Sequence, residues 1–191
     1  MKDNIILIGF MGSGKTSVGI RLSYQLKRTM IDTDKWIEQK QKRTVSEIFA
    51  QSGEEAFRMM ETDCLKELVR TADKQIISVG GGLPMKEENH ALLRELGTVF
   101  YLSATPETVY ERLKTDTTRP LLQVEDPEER IRTLLKQRAP VYEACADVVL
   151  DVSDRSFDEI LEQIGKELRL NKLLDSNLFN QEFVPKRHKF F

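Results

Sequence analysis

Cysteine, histidine and tryptophan are scarce in this chain, with 2, 2 and 1 among 191 residues. Cys64 and Cys145 are too few for a disulfide framework, and each falls in an apolar helical or pre-strand context. Reduced structural thiols, as in the cytosol, are therefore expected. Neither His90 nor His188 stands in a motif, which argues against histidine base catalysis. No apolar run approaches the roughly 20 residues that span a bilayer. Charge of neither sign dominates, with 29 Lys and Arg against 31 Asp and Glu and a net charge of −2. A soluble protein with no membrane partner and no global attraction to nucleic acid is expected. Repeats and low-complexity tracts are also missing, and the length suits one domain with a full core.

What the chain does have is "ILIGFMGSGKTSVG" near its start. A secretion signal needs a basic start and a longer apolar run; Asp3 and Asn4 interrupt the start, and Lys15 sits where cleavage would fall. A dinucleotide loop needs a third glycine where Ser17 stands. The pattern GxxxxGK[ST] is matched without a gap by Gly9, Gly14, Lys15 and Thr16. Its context agrees. A buried-strand run, Asn4 to Ile8, precedes it, and Val18, Leu22 and Leu26 follow at helical spacing. Glycines let the backbone N–H groups turn inward toward phosphate oxygens, and the helix N-terminus adds positive charge. Lys15 is then expected to reach the outer phosphates and the Thr16 hydroxyl to ligate Mg²⁺.

Apolar runs recur at Ile5 to Ile8, Met30 to Ile31, Gln75 to Val79, Thr98 to Leu102 and Val148 to Leu150, with helical patterns between them. Thr105 before Pro106 and Asp126 before Pro127 are helix starts. Ser52 with Glu55, and Ser156 with Glu159, read as capping boxes. Alternating strands and helices predict an α/β protein with a parallel sheet covered on both faces, in three layers. Ligands of such sheets gather at the carboxyl ends of the strands.

Four stretches fall there. In "DTD", Asp32 and Asp34 are expected to face the loop of the first strand if extended geometry persists, since residues two apart on a strand share a side. One would hold the Mg²⁺ water shell and the other accept a hydrogen bond from a substrate hydroxyl. In "FRMMETDCLKEL", Arg58 and Glu61 sit three apart beside a core stripe, so Glu61 can orient the guanidinium. The three glycines of "ISVGGGLP" exceed what one turn requires and suggest backbone approaching a ligand. In "RLKTDTTRPLL", Arg119 on a polar flap suits the charge of a transferring phosphoryl group. Asp34 would repel a second phosphorylated substrate but suits a polyol, and arginine forks match a carboxylate on the same acceptor. An aspartate of ordinary pKa, about 3.9, is a weak base for an alcohol, so Asp34 is expected mainly to orient it.

Together these residues resemble the shikimate kinases from about Ile5 to Leu168. The likeness rests on GFMGSGKT, DTD, Phe57, Arg58 and Glu61 as FRxxE, Gly80 to Gly82, RPLL from Arg119 and "RAPVYEACAD" from Arg138. It implies a P-loop kinase fold with a five-stranded parallel sheet, a lid about residues 112–124 and a substrate-binding subdomain about residues 32–62. It implies ATP-dependent phosphorylation of the 3-hydroxyl of shikimate, in aromatic amino acid biosynthesis, by a cytoplasmic and monomeric enzyme. Carried over by position, Asp34, Arg58, Gly80, Gly81, Gly82 and Arg138 would bind shikimate, with Asp34 as presumed base. Gly12, Ser13, Gly14, Lys15, Thr16, Ser17, Arg112, Arg119 and Arg155 would bind ATP. Lys15 and Arg119 would stabilise the γ-phosphate, and Thr16 and Asp32 would serve Mg²⁺. The adenine pocket near Asp151 to Arg155 matches less clearly. A gluconate kinase or an ATP-binding module without turnover are the alternatives. After a single domain at 1–170, residues 171–191 extend beyond the family pattern as a tail, disordered or docked, with a protein contact as the minority reading.

Overall fold

The computed structural model describes residues 2–115 and 124–170. Most of the expected lid, with Arg119, and the extension 171–191 lie outside the described residues. Five strands form one parallel sheet: β1 (Ile5–Ile8), β2 (Met30–Asp32), β3 (Ile76–Ser78), β4 (Thr98–Ser103) and β5 (Val148–Asp151). Their order is β2-β3-β1-β4-β5, so the strand before the glycine-rich loop lies at the centre. Seven α-helices accompany them among the described residues: α1 (Lys15–Leu26), α2 (Thr33–Gln41), α3 (Val45–Thr71), α4 (Glu88–Leu96), α5 (Pro106–Leu113), α6 (Pro127–Cys145) and α7 (Phe157–Leu170).

The three layers follow from side-chain alternation along the strands. Ile5 and Leu7 of β1 join Val18 and Leu22 of α1 and Ile160, Ile164 and Leu168 of α7 in one core. Ile6 and Ile8 point the other way, into a core with Ile48, Phe57, Leu65, Leu93, Val109 and Ile131. All four β1 side chains are fully buried, which is why this strand is a continuous apolar run rather than an alternating one.

Caps decide where most helices begin. Thr105 accepts from the N–H of Thr108 (3.2 Å) and Asp126 from that of Glu129 (3.0 Å). Ser156 and Glu159 exchange bonds of 2.8 and 3.3 Å as a capping box. The same pattern at Thr44 and Glu47, not picked out from the sequence, opens α3. The start expected at Ser52 is displaced: α3 is broken at Gly53, whose φ of 81° and ψ of 171° separate two helical stretches. The extended geometry supposed for "DTD" also ends early. Asp32 is the N-cap of α2, accepting from the N–H groups of Asp34 (3.1 Å) and Lys35 (3.3 Å), so Asp34 is helical.

Asn4 ties the bottom of the sheet together. Its amide donates to Leu96 O (2.7 Å) and Ala72 O (3.3 Å), and its side-chain oxygen accepts from Gln75 N (2.9 Å). Gly97 must lack a side chain beside it, because a Cβ would fall 2.4 Å from Asn4 O.

Candidate active site

The loop after β1 takes positive φ at Gly9 (145°), Gly12 (78°) and Gly14 (94°), leading into α1 with Gly14 as N-cap and no side-chain cap bond. The first N–H groups of α1 thus have no side chain of the cap to receive them, which is the usual arrangement at an anion site. Lys15 Nζ folds back over this loop, donating to Gly9 O (2.9 Å) and Phe10 O (3.0 Å). Thr16 donates to Asp32 Oδ2 at 3.3 Å, bringing the first helix and the end of β2 together. Ser13 is buried and Ser17 exposed.

The triglycine after β3 lies beside the phosphate-type loop. A Cβ on Gly81 would stand 3.3 Å from Gly9 O and 3.7 Å from Met11 N. On Gly80 it would lie 2.4 Å from Asp34 Oδ1 and 3.0 Å from Glu61 Oε1; on Gly82, 2.2 Å from Arg58 Nη1. The excess of glycine therefore goes with close neighbours on all three residues: the Asp34 and Glu61 side chains at Gly80, the Arg58 side chain at Gly82, and the backbone of the loop after β1 at Gly81. Gly80 N is itself held by the buried Thr33 hydroxyl at 2.9 Å.

Arg58 binds Glu61 Oε2 at 2.7 Å and Glu54 Oε1 at 2.8 Å. Burial works to lower the guanidinium pKa, but Glu61 and Glu54 outweigh it and the net movement is upward. Glu61 is 1% exposed, and burial pushes its carboxyl up to about 7, opposed by Arg58 and assisted by Asp34 and Glu54. Its second oxygen, Oε1, is buried with no hydrogen-bond partner among the described residues. On the far side, Arg138 of α6 lies 5.7 Å from the Phe10 ring centroid, and Tyr142 one turn later donates to Gly81 O at 2.6 Å.

Arg112 of α5 spans the phosphate-type loop and the end of β5, donating to Gly12 O (3.2 Å) and Val152 O (2.9 Å). Arg155 is exposed, and its charge is felt by Asp151 and Glu159. Cys64 and Cys145 are free and buried, and burial pushes the Cys64 thiol up to about 12. His90 is occupied by Pro84 O at 2.7 Å.

Thr33, Glu54 and Tyr142, which the motifs do not single out, contact the candidate residues Gly80, Arg58 and Gly81. Tyr142 had a signal, since a residue four after Arg138 on a helix shares its face. Thr33 sits between two singled-out aspartates.

A glycine-rich anion loop on the central strand of a parallel sheet, facing a second loop lined by a carboxylate and arginines, defines a P-loop kinase of small molecules. The family model for shikimate kinase matches residues 11–169. A shikimate kinase of Thermodesulfovibrio yellowstonii is 44% identical over 164 residues, 86% of this chain and 94% of that relative. One from Dictyoglomus turgidum is 40% identical over 172 residues, 88% and 99% of the two chains. The solved shikimate kinase from Acinetobacter baumannii in complex with shikimate superposes with a TM-score of 0.83 at 37% identity, covering 90% of this chain and 95% of that one. This chain belongs to the shikimate kinase family.

Proposed function

We propose that this chain transfers the γ-phosphoryl group of ATP to the 3-hydroxyl of shikimate, giving shikimate 3-phosphate and ADP on the route to the aromatic amino acids. The observation that carries the reading is the contact between the two loops. Gly81 packs against Gly9 while Asp34 and Arg58 press on Gly80 and Gly82. An acceptor lying on the triglycine is thereby one loop away from the phosphates.

In this reading Arg58 and Arg138 take the acceptor carboxylate, which guanidinium forks suit. Asp34 accepts the hydrogen bond of the reacting hydroxyl and orients it. That oxygen attacks the γ-phosphorus as the bond to the ADP oxygen breaks, and its proton passes toward Asp34. Lys15 exchanges the Gly9 and Phe10 carbonyls for phosphate oxygens, Gly12 to Ser17 contribute contacts along the chain of phosphates, and Arg119 supplies positive charge to the γ-phosphoryl group. Arg112, held against Gly12 and Val152, gives the adenine a flat cationic surface, with Arg155 at its edge. Most of the acceleration is positioning and charge stabilisation.

The oxygens of Thr16 and Asp32, 3.3 Å apart, are a hard donor pair at the mouth of the anion loop. They suit Mg²⁺, which keeps most of its water shell and takes few protein ligands. Thr16 would hold the ion directly and Asp32 through water; when bound, it supplies positive charge to the phosphate oxygens.

One site-bearing unit over residues 1–170, with an acceptor subdomain about 32–62 and a lid about 112–124, acting as a cytoplasmic monomer, completes the proposal. No described helix is long and apolar enough to cross a membrane. The test is ADP release with Mg²⁺ and ATP, offering shikimate, gluconate, a panel of nucleoside monophosphates or water alone. Turnover with shikimate alone is expected. Turnover with gluconate instead, or none while ATP binds, overturns the acceptor assignment.

A further inference from the structure

Tyr142 is fully buried in α6 and belongs to none of the roles assigned above. Its ring packs on Tyr101 of β4 with centroids 5.1 Å apart, a contact that needs no hydroxyl. Yet the hydroxyl is engaged as well: it donates to Gly81 O at 2.6 Å, and Arg138, one turn earlier on the same face of α6, acts on it as a neighbouring positive charge.

The chemistry of the three groups settles which way the phenol faces. A carbonyl oxygen only accepts and a guanidinium only donates, whereas a phenol has one proton and two lone pairs. The phenol proton therefore goes to Gly81, which leaves the phenol lone pairs as the only part of the hydroxyl that a guanidinium could use. Burial pushes the Tyr142 hydroxyl up to about 12, so it keeps that proton throughout the neutral range. Arg138 in turn lies 5.7 Å from the Phe10 ring centroid, which limits the directions its donors can take.

We propose that Tyr142 is a positioning residue for the acceptor: its hydroxyl spaces the Arg138 guanidinium from the Gly81 backbone and so sets the carboxylate pocket. The inference rests on the acceptor assignment made above. Gly81 belongs to the loop under the acceptor, and Arg138 to the helix beside it, 57 residues further along the chain. The phenol hydroxyl is the bridge between them. Without it the guanidinium keeps its charge but loses its fixed orientation.

Tyr142→Phe removes the bond to Gly81 and the lone pairs offered to Arg138, and leaves the ring against Tyr101. Steady-state kinetics are measured with shikimate and with ATP for the wild type, Tyr142→Phe, Arg138→Ala and the double variant, with a thermal melt of each. Expected is an acceptor KM raised about tenfold in Tyr142→Phe, with kcat and ATP KM within about twofold. In the Arg138→Ala background the same change should add little, because residues acting through one another are not additive. An unchanged acceptor KM, with or without a lower melting temperature, leaves Tyr142 a packing residue and overturns the inference while the acceptor assignment stands. The full tenfold effect in the double variant also overturns it. A wild type that does not turn over shikimate overturns the acceptor assignment and this inference with it.

Discussion

Gly82 has φ of −90° and ψ of −19°, values any residue adopts, so its lack of a side chain serves something other than backbone freedom. A Cβ there would meet the tip of Arg58, a flexible group that can yield, rather than backbone. Gly82→Ala should therefore leave stability unchanged or raise it by about 0.4–1 kcal/mol through the unfolded chain. It should raise the acceptor KM about tenfold or more, as Arg58 is displaced. A melt beside steady-state kinetics separates the two effects. Glu61 makes a second residue-scale prediction. Its carboxyl is moved from the ordinary range up to about 7 in the folded protein, so between about pH 4.5 and 7 the folded state holds a proton the unfolded chain has lost. This group's contribution to stability falls as pH rises through that window and is level above it. Glu61→Gln should flatten that fall in denaturation midpoints measured from about pH 5 to 8. A slope unchanged by the substitution would mean that Glu61 ionises near its ordinary pKa. The pairing of Arg58 with Glu61 was legible from their spacing. The elevated pKa was not, because it arises from burial under Gly80 and Asp34, which spacing along one helix does not encode.

Between elements, Asn4 joins the start of β1 to the ends of α3 and α4 and to the residue before β3 through three bonds, while only 2% exposed. Replacement by Ala leaves buried carbonyls and an N–H without partners, each costing about 1–3 kcal/mol. Asn4→Ala is expected to lower stability by about 3 kcal/mol in urea denaturation, with acceptor and ATP KM nearly unchanged because the bonds lie at the opposite end of the strands from the site. Cap chemistry shows how far local reading reaches at this scale. Thr105, Asp126 and Ser156 start helices where hydroxyl or carboxylate side chains precede a periodic run. Thr44 with Glu47 does the same and could have been read by the same rule. Ser52 with Glu55 carries the same letters, yet the chain breaks one residue later, at Gly53, whose positive φ suits a residue without a side chain. Asp34 differs for a related reason: Asp32 caps α2, so the chain turns helical two residues sooner than an extended reading of "DTD" assumes.

Across the whole molecule, the proposed site draws on the ends of β1, β2, β3 and β5 and on α1, α2, α3, α5 and α6, all before Leu170. The α7 side chains Ile160, Ile164 and Leu168 close the core on the α1 face. A chain ending at Leu170 is therefore expected to keep shikimate turnover within about twofold of the full-length rate and its elution volume in gel filtration. A loss of turnover would give residues 171–191 a part in the reaction, and a changed volume would give them one in association. The sequence by itself determined the five strands, the anion loop and its lysine, and the residue types that suit a hydroxylated acid better than a second nucleotide. These are local properties: periodicity, cap chemistry, glycine content and charge lie within a few residues of one another. Only the tertiary structure decided that Gly81 meets Gly9 and Tyr142, that Gly82 meets Arg58, and that Glu61 is buried beside Asp34. Those pairings cross tens of residues, and they are set by the order of strands in the sheet and by the packing of α3 and α6 around it.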